Sequence, residues 1–80
     1  MTEVELLERK CRNDERNLAD IGGNFDGPIE RQDLALRLVV DCARRLMETH
    51  DLWARAQTGS LALARRAEGN LRIALKLVVP

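Results

Sequence analysis

The side chains that could do chemistry in this chain are few, and their spacing does not bring a nucleophile to a base. His50 is the one histidine, and Cys11 and Cys42 are the two cysteines. On a continuous helix Cys42 would lie ~12 Å from His50, too far for the hydrogen bond that activates a nucleophile. The wide separation of the two cysteines gives no metal-ligand spacing. We therefore expect no catalytic residue, no cofactor and no metal site, and a protein that is not an enzyme.

The basic residues are the other candidates for a functional role. Residues 1–54 carry eight Lys/Arg against twelve Asp/Glu, whereas residues 55–80 carry five against one, although the net charge is zero. A basic C-terminal surface could bind the phosphates of DNA or RNA, but no aromatic residues lie among its arginines to stack on bases. Nucleic acid is therefore the less favoured partner. The basic candidates for partner contact in this region are Arg65, Arg66, Arg72 and Lys76.

The chain has only two aromatic residues, Phe25 and Trp53. Phe25 falls in a predicted loop and Trp53 beyond a predicted break in the second helix. Each could fill the core or anchor a partner, because large aromatic side chains dominate both settings. We include both among the candidate partner contacts.

Length and composition predict one small domain, residues 1–80. The chain is 45% apolar and 32% charged, as ordinary globular proteins are. A chain of this size has a thin core, so a partner or a second copy would help to stabilise it. Neither a signal peptide nor an apolar run of membrane-spanning length is apparent, so we expect a cytoplasmic protein with reduced thiols and no membrane contact.

Two helices are predicted first, at about 3–20 and about 28–56. Thr2 and Glu5 fit a capping box at the start of the first helix. Gly and Asn residues between 22 and 27 then favour a loop. An unbroken second helix would be too long for so small a globule, so we expect it to bend near 49–51.

The second helix carries a strong apolar stripe, which we expect to face the core. Its members are Ile29, Leu36, Val39, Val40, Ala43, Leu46 and Met47, widened on one flank by Leu34, Leu38 and Cys42. The opposite face, which we expect to be in solvent, carries Arg37, Asp41, Arg44, Arg45 and Glu48.

The C-terminal segment has three interpretations: a β-hairpin, a helix throughout, or a short helix that ends at Gly69 and is followed by a lone strand. Alternate residues from Leu71 to Val79 are apolar, as in a half-buried strand. A turn at Glu68-Gly69-Asn70 would bring the apolar faces of 60–67 and 71–79 into register as a β-hairpin. The favoured fold is therefore α+β, mainly α, with two helices and this hairpin. The alternative is an all-α bundle of three to four helices, because 60–68 has helical propensity and Glu68, Arg72 and Lys76 would align at i,i+4.

The functional expectation is a small protein–protein interaction module, an adaptor or inhibitor that occludes a partner's surface. The exposed edges and outer face of a lone hairpin favour binding to another protein or to a second copy, as an oligomer. Short length, opposite charge at the two ends and the lack of catalytic motifs fit the general profile of phage or mobile-element inhibitors, including anti-CRISPR proteins. No individual residue carries that likeness. The alternative function is a small DNA- or RNA-binding regulator that uses the basic hairpin.

Overall fold

The structure is a computed structural model that describes residues 2–24, 28–55 and 58–78, with the side chains at 22–24 and 28–30 excepted. These residues form three helices, α1 (Glu3–Asn24), α2 (Pro28–Ala54) and α3 (Ser60–Val78). The predicted α+β fold is wrong, since the described residues contain no strand and the segment assigned to the hairpin is a single helix. The all-α alternative describes the fold.

The first helix starts at the residue that the capping box predicts. The Thr2 hydroxyl accepts a hydrogen bond from the backbone N–H of Glu5 at 3.1 Å, and Thr2 donates to the Glu5 carboxylate at 3.2 Å. This satisfies one of the N–H groups that a helix leaves without a partner at its start. At its other end α1 continues through Gly22 and Gly23 to Asn24, so the prediction of a loop from Gly22 is wrong there. Phe25 lies outside the described residues.

The second helix is continuous through 49–51, where a bend was predicted. Thr49 donates its hydroxyl to the carbonyl of Leu46 at 2.9 Å, a back-bond that satisfies the side chain without starting a new helix. A helix of 27 residues is ~40 Å long. The molecule accommodates it by being elongated, with extents of 42 × 22 × 14 Å. α2 therefore does not break at 49–51, and the argument for a break assumed a round globule.

The third helix runs through Gly69 and Asn70, the residues that were expected to form a turn. Asn70 is buried and donates to Glu15 of α1, which gives it a structural reason to be within a helix. Glu68 and Arg72 form an i,i+4 ion pair at 2.8 Å. The alternation of apolar residues was misleading, because α3 packs on its alanines: Ala67 and Ala74 are fully buried, while Ile73 and Leu75 are exposed.

The core consists of two apolar clusters along the bundle. One contains Leu7, Cys11, Leu52, Leu63 and Ala67, and the other contains Leu18, Ile21, Leu38, Cys42 and Ala74. On α1 the buried Asp14 lies between the two sets, and it faces Arg45 of α2. The bundle is therefore apolar towards both ends and polar in the middle.

The burial of α2 differs from the prediction in one respect that matters for function. The buried face of α2 consists of Ala35, Leu38, Cys42, Thr49 and Leu52. Of these, Leu38 and Cys42 were predicted to lie only at one flank of the buried stripe. Arg45 and Glu48, which were expected to face solvent, turn toward α1. Of the stripe that was expected to be buried, Leu36, Val40 and Met47 are exposed, whereas Val39 and Leu46 pack against the core. The side chain of Ile29 lies outside the described residues.

Candidate functional site

An exposed apolar ridge runs along the outer side of α2. Leu36, Val40 and Met47 are 51%, 52% and 73% exposed. Ala43, which is half-buried, lies between Val40 and Met47 on the same side. The spacing of four, three and four residues keeps these side chains in one line along a helix. We call these four residues the α2 ridge.

The ridge faces away from the bundle because Arg45 and Glu48, on another side of α2, contact charged residues of α1. Arg45 Nε lies 3.5 Å from the buried Asp14 carboxylate, and its Nη1 donates to Glu48 at 3.1 Å. Lys10 of α1 reaches Glu48 at 3.4 Å. A buried carboxylate needs a cation nearby, so Asp14 fixes the face of α2 that points at α1. With that face fixed, the ridge can only point away from the bundle.

Burial raises the pKa of Asp14, and Arg45 opposes the rise. The Asp14 Oδ2 and Arg45 Nε atoms face each other without a hydrogen bond that meets ordinary geometry among the described residues. The pair is a loose ion pair in a low-dielectric layer, where each charge costs more than it would in water. The pair joins α1 to α2 across the middle of the bundle.

A second polar contact joins α1 to α3. Arg66 donates from Nε and Nη2 to the two Glu15 oxygens at 2.6 Å each, and Asn70 donates to Glu15 at 3.1 Å. The hydrogen bonds from Arg66 hold the pKa of Glu15 below its ordinary value and raise that of Arg66. A bidentate pair of this kind fixes both distance and angle. Arg66, a predicted partner contact, is therefore engaged within the bundle.

The remaining predicted contacts of α3 are all at the surface. Arg65, Arg72 and Lys76 are exposed, and Arg72 forms an ion pair with the exposed Glu68. Trp53, at the end of α2, is 54% exposed and stands edge-on to His50, with ring centroids 6.4 Å apart. Trp53 remains available to a partner. Phe25 cannot be assigned, because it lies outside the described residues.

The outer side of α1 carries a basic stripe that the sequence analysis did not single out. Arg9, Arg12 and Arg16 are exposed and line one shallow hollow with Lys10 and Asn13. Among the described residues none of these three arginines has an ion-pair partner. We call them the α1 arginine stripe. The sequence makes helix 1 look acidic, but several of its carboxylates are used in contacts between helices.

The thiols are not suited to nucleophilic chemistry. Cys11 and Cys42 are free, and both are fully buried. Burial raises the pKa of both thiols, that of Cys42 to about 12. A thiol with so high a pKa is a poor nucleophile at neutral pH, since the thiolate is the reactive form. Both cysteines belong to the apolar clusters instead.

Within the described residues, no group of three or more His, Cys, Asp or Glu side chains is placed to hold a metal ion. The described helices also include none whose length and apolar character would let it cross a bilayer.

The sequence of α2 indicates that some of its apolar residues must be exposed. It does not indicate which ones. The apolar residues of α2 cover too wide an arc to be buried by two neighbours. Which part of the arc is left outside depends on Asp14 of another helix. The ridge could have been found only by pairing Asp14 with Arg45 before the core face was chosen.

Comparison with known proteins gives no relative: no protein family, no curated protein and no solved structure matches this chain.

Proposed function

We propose that this protein is a non-enzymatic protein–protein interaction module, an adaptor or inhibitor that occludes a partner's surface, and that it binds through the α2 ridge. The observation that carries the proposal is the exposure of Leu36, Val40 and Met47 in one line on a helix whose other side is packed. Single exposed apolar residues are ordinary on protein surfaces, but an aligned set is typical of a binding surface.

The chemistry of the ridge suits a helical or apolar partner. Leu and Val have stiff, branched apolar side chains, and Met has a flexible, polarisable side chain that adapts to different surfaces. Burial of such groups contributes about 25 cal/mol for each Å² removed from water. Trp53, at the C-terminal end of α2, extends the same apolar surface with a residue type that is enriched at binding hot spots.

The interaction proposal is also supported by how the reactive side chains are used. The cysteines are buried with raised pKa values, and Asp14 and Glu15 are engaged with Arg45 and Arg66. A cytoplasmic location is part of the proposal and rests on the two free thiols. An origin in a phage or mobile element remains a prediction from size and charge alone.

The test is to capture partners from the source organism with wild-type protein and with the double variant Val40→Gln/Met47→Gln. Gln is a good helix former without charge, so the variant should stay folded by circular dichroism. A matched control is Leu6→Gln/Ile73→Gln, which changes two exposed apolar residues outside the ridge.

We expect the wild type and the control to capture the same partner protein, and the ridge variant not to capture it. Capture that is unchanged by the ridge variant would contradict the proposal. So would recovery of nucleic acid alone.

A second candidate function is nucleic-acid binding through the α1 arginine stripe. The observation that favours it is that Arg9, Arg12 and Arg16 are exposed without ion-pair partners among the described residues, so their charges are available to phosphates. The basic hairpin proposed earlier for this role does not exist, and two of its residues, Arg66 and Arg72, are in ion pairs.

Binding through three arginines would weaken with salt, with a slope of log K against log salt of roughly −2 to −3. Fluorescence anisotropy with a labelled duplex and a labelled single strand would measure it. The variant Arg9→Ser/Arg12→Ser/Arg16→Ser should abolish the slope, and equal binding by that variant would exclude this candidate.

A further inference from the structure

We propose that the occupant of the α2 ridge is a second copy of this chain, whose α2 packs antiparallel against the first. The inference rests on the proposed function, because it uses the same ridge and names what covers it. The argument depends on the spacing, size and charge of exposed and half-buried side chains along α2.

The spacing along α2 is that of a coiled-coil seam. Beyond the ridge, His50 and Ala54 continue the alternation of four and three residues, and both are exposed. Alternation of this kind keeps a seam facing one partner helix along its length, with each side chain entering a hole between four others. The seam from Leu36 to Ala54 is ~27 Å long at 1.5 Å per residue.

The side-chain sizes favour the antiparallel direction. When Leu36 is set opposite Ala54 of the second copy, Val40 faces His50 and Ala43 faces Met47. A small residue lies opposite a large one in the first and last of these layers, so the helices can approach closely without gaps. The arrangement is self-complementary, as a two-fold interface requires.

The parallel direction places like residues against each other. His50 would face His50 of the second copy, and Asp33, which precedes Leu36 by three residues, would face its own copy in the seam. Two carboxylates opposite each other in an apolar interface repel and lose hydration. In the antiparallel arrangement Asp33 lies beyond the level at which the second α2 ends.

One edge of the seam supplies complementary charge. Arg37, Arg44 and Asp51 follow Leu36, Ala43 and His50 by one residue each, and so share one side. Within one chain Arg37 pairs with Asp33 at 3.3 Å and Asp51 pairs with Arg55 at 3.1 Å. Both pairs are exposed and therefore weak, so these side chains can exchange partners in the dimer. In the antiparallel arrangement Asp51 of the second copy is level with residue 39, between Arg37 and Arg44. The two-fold axis produces this contact twice. The one unfavourable contact is between the two Arg44 side chains near the axis, where both remain in water.

The other edge of the seam is apolar and includes Trp53. Val39, Leu46 and Trp53 precede Val40, Met47 and Ala54 by one residue each. Val39 and Leu46 are partly buried against the apolar clusters of their own chain, whereas Trp53 is exposed. In the same register Trp53 approaches Val39 of the second copy, and the two Leu46 side chains approach each other. Trp53, which is half-exposed in one chain, would be covered in the dimer.

A seam of this length on one helix gives an interface at the small end of the known range, so we expect a dissociation constant of about micromolar order. Sedimentation equilibrium of the purified protein from roughly 1 to 200 µM would span that range. Val40→Gln/Met47→Gln should weaken dimerisation at least ~50-fold, because each dimer loses four apolar contacts. Leu6→Gln/Ile73→Gln should dimerise as the wild type does.

The direction of the helices is tested by mixing two charge variants. Arg37→Asp/Arg44→Asp makes the charged edge wholly acidic, and Asp51→Arg makes it wholly basic. Each variant alone should dimerise less than the wild type, and an equimolar mixture should bind roughly tenfold tighter than either alone. A parallel dimer would not show this rescue, since the charged edge would then face the apolar edge.

The outcomes separate this inference from the proposed function. A wild-type protein that is monomeric throughout the range, yet captures a partner through the ridge, would overturn the dimer and leave the interaction proposal standing. Dimerisation that the ridge variant does not weaken would overturn the assignment of the surface. A mixture that binds no better than its components would overturn the antiparallel arrangement.

Discussion

Glu15 and Arg66 show how single charged residues determine which surfaces this bundle exposes. Their bidentate contact at 2.6 Å joins α1 to α3, and the Asp14–Arg45 pair joins α1 to α2. Asp14 and Glu15 are adjacent on α1 and so point in different directions, and each meets an arginine of a different helix. Arg66 is thus engaged in a contact between helices, and its role as a partner contact stays a prediction.

The contribution of Glu15 to stability can be measured through its pH dependence. Its pKa is lowered from 4.5 in the folded protein, so its stabilising effect is present above 4.5 and is lost as the pH falls through the folded-state pKa. Glu15→Gln should lower the free energy of unfolding by about 1 kcal/mol at pH 7, since the pair is only partly buried.

The difference between wild type and Glu15→Gln should shrink as urea unfolding is repeated at pH values below 4.5. Asp20→Asn is a suitable control, because Asp20 is exposed and has no ion-pair partner among the described residues. A difference that stays constant with pH would mean that the Glu15 charge does not stabilise the fold.

At the scale of elements, α3 illustrates where local pattern stops being informative. The start of α1 at Glu3, capped by Thr2, and of α2 at Pro28 could be predicted, because caps and proline act within one turn. The alternation after Leu71 was equally local but misleading. Asn70 is stabilised in the helix by Glu15, a residue 55 positions away in sequence. No pattern within α3 contains that information.

Gly69 tests the helical assignment of α3 directly. A Cβ added there would meet no atom within 4 Å, and its backbone does not have the positive φ that favours glycine. Gly69→Ala should therefore raise the free energy of unfolding by about 1 kcal/mol, measured by urea unfolding. A loss of stability would support a turn at this position instead.

Gly59 is the matched control for that substitution. Its φ is +83°, which an L side chain rarely adopts. Gly59→Ala should lower the free energy of unfolding by about 1 kcal/mol. Opposite effects at the two glycines are the expected result.

At the scale of the whole molecule, the length of α2 explains both the elongated shape and the uncovered α2 ridge. The long α2 has α1 and α3 as neighbours, and their contacts leave the side with Leu36, Val40 and Met47 without cover. The amphipathic character of α2 could be predicted from its sequence. Its orientation could not, because the choice between two possible apolar faces depends on a buried charge in α1. The candidate contact surface therefore moved from the C-terminal segment to α2.

The most direct test of the ridge as the contact surface is a dilution series followed by two-dimensional ¹H–¹⁵N correlation NMR of the purified protein. As the concentration falls and dimers dissociate, the amide signals of the ridge and of the Trp53 indole should shift. Those of Arg65, Arg72 and Lys76 should stay in place. Signals that do not change with concentration would contradict the dimer, and changes confined to α3 would contradict the ridge as the contact surface.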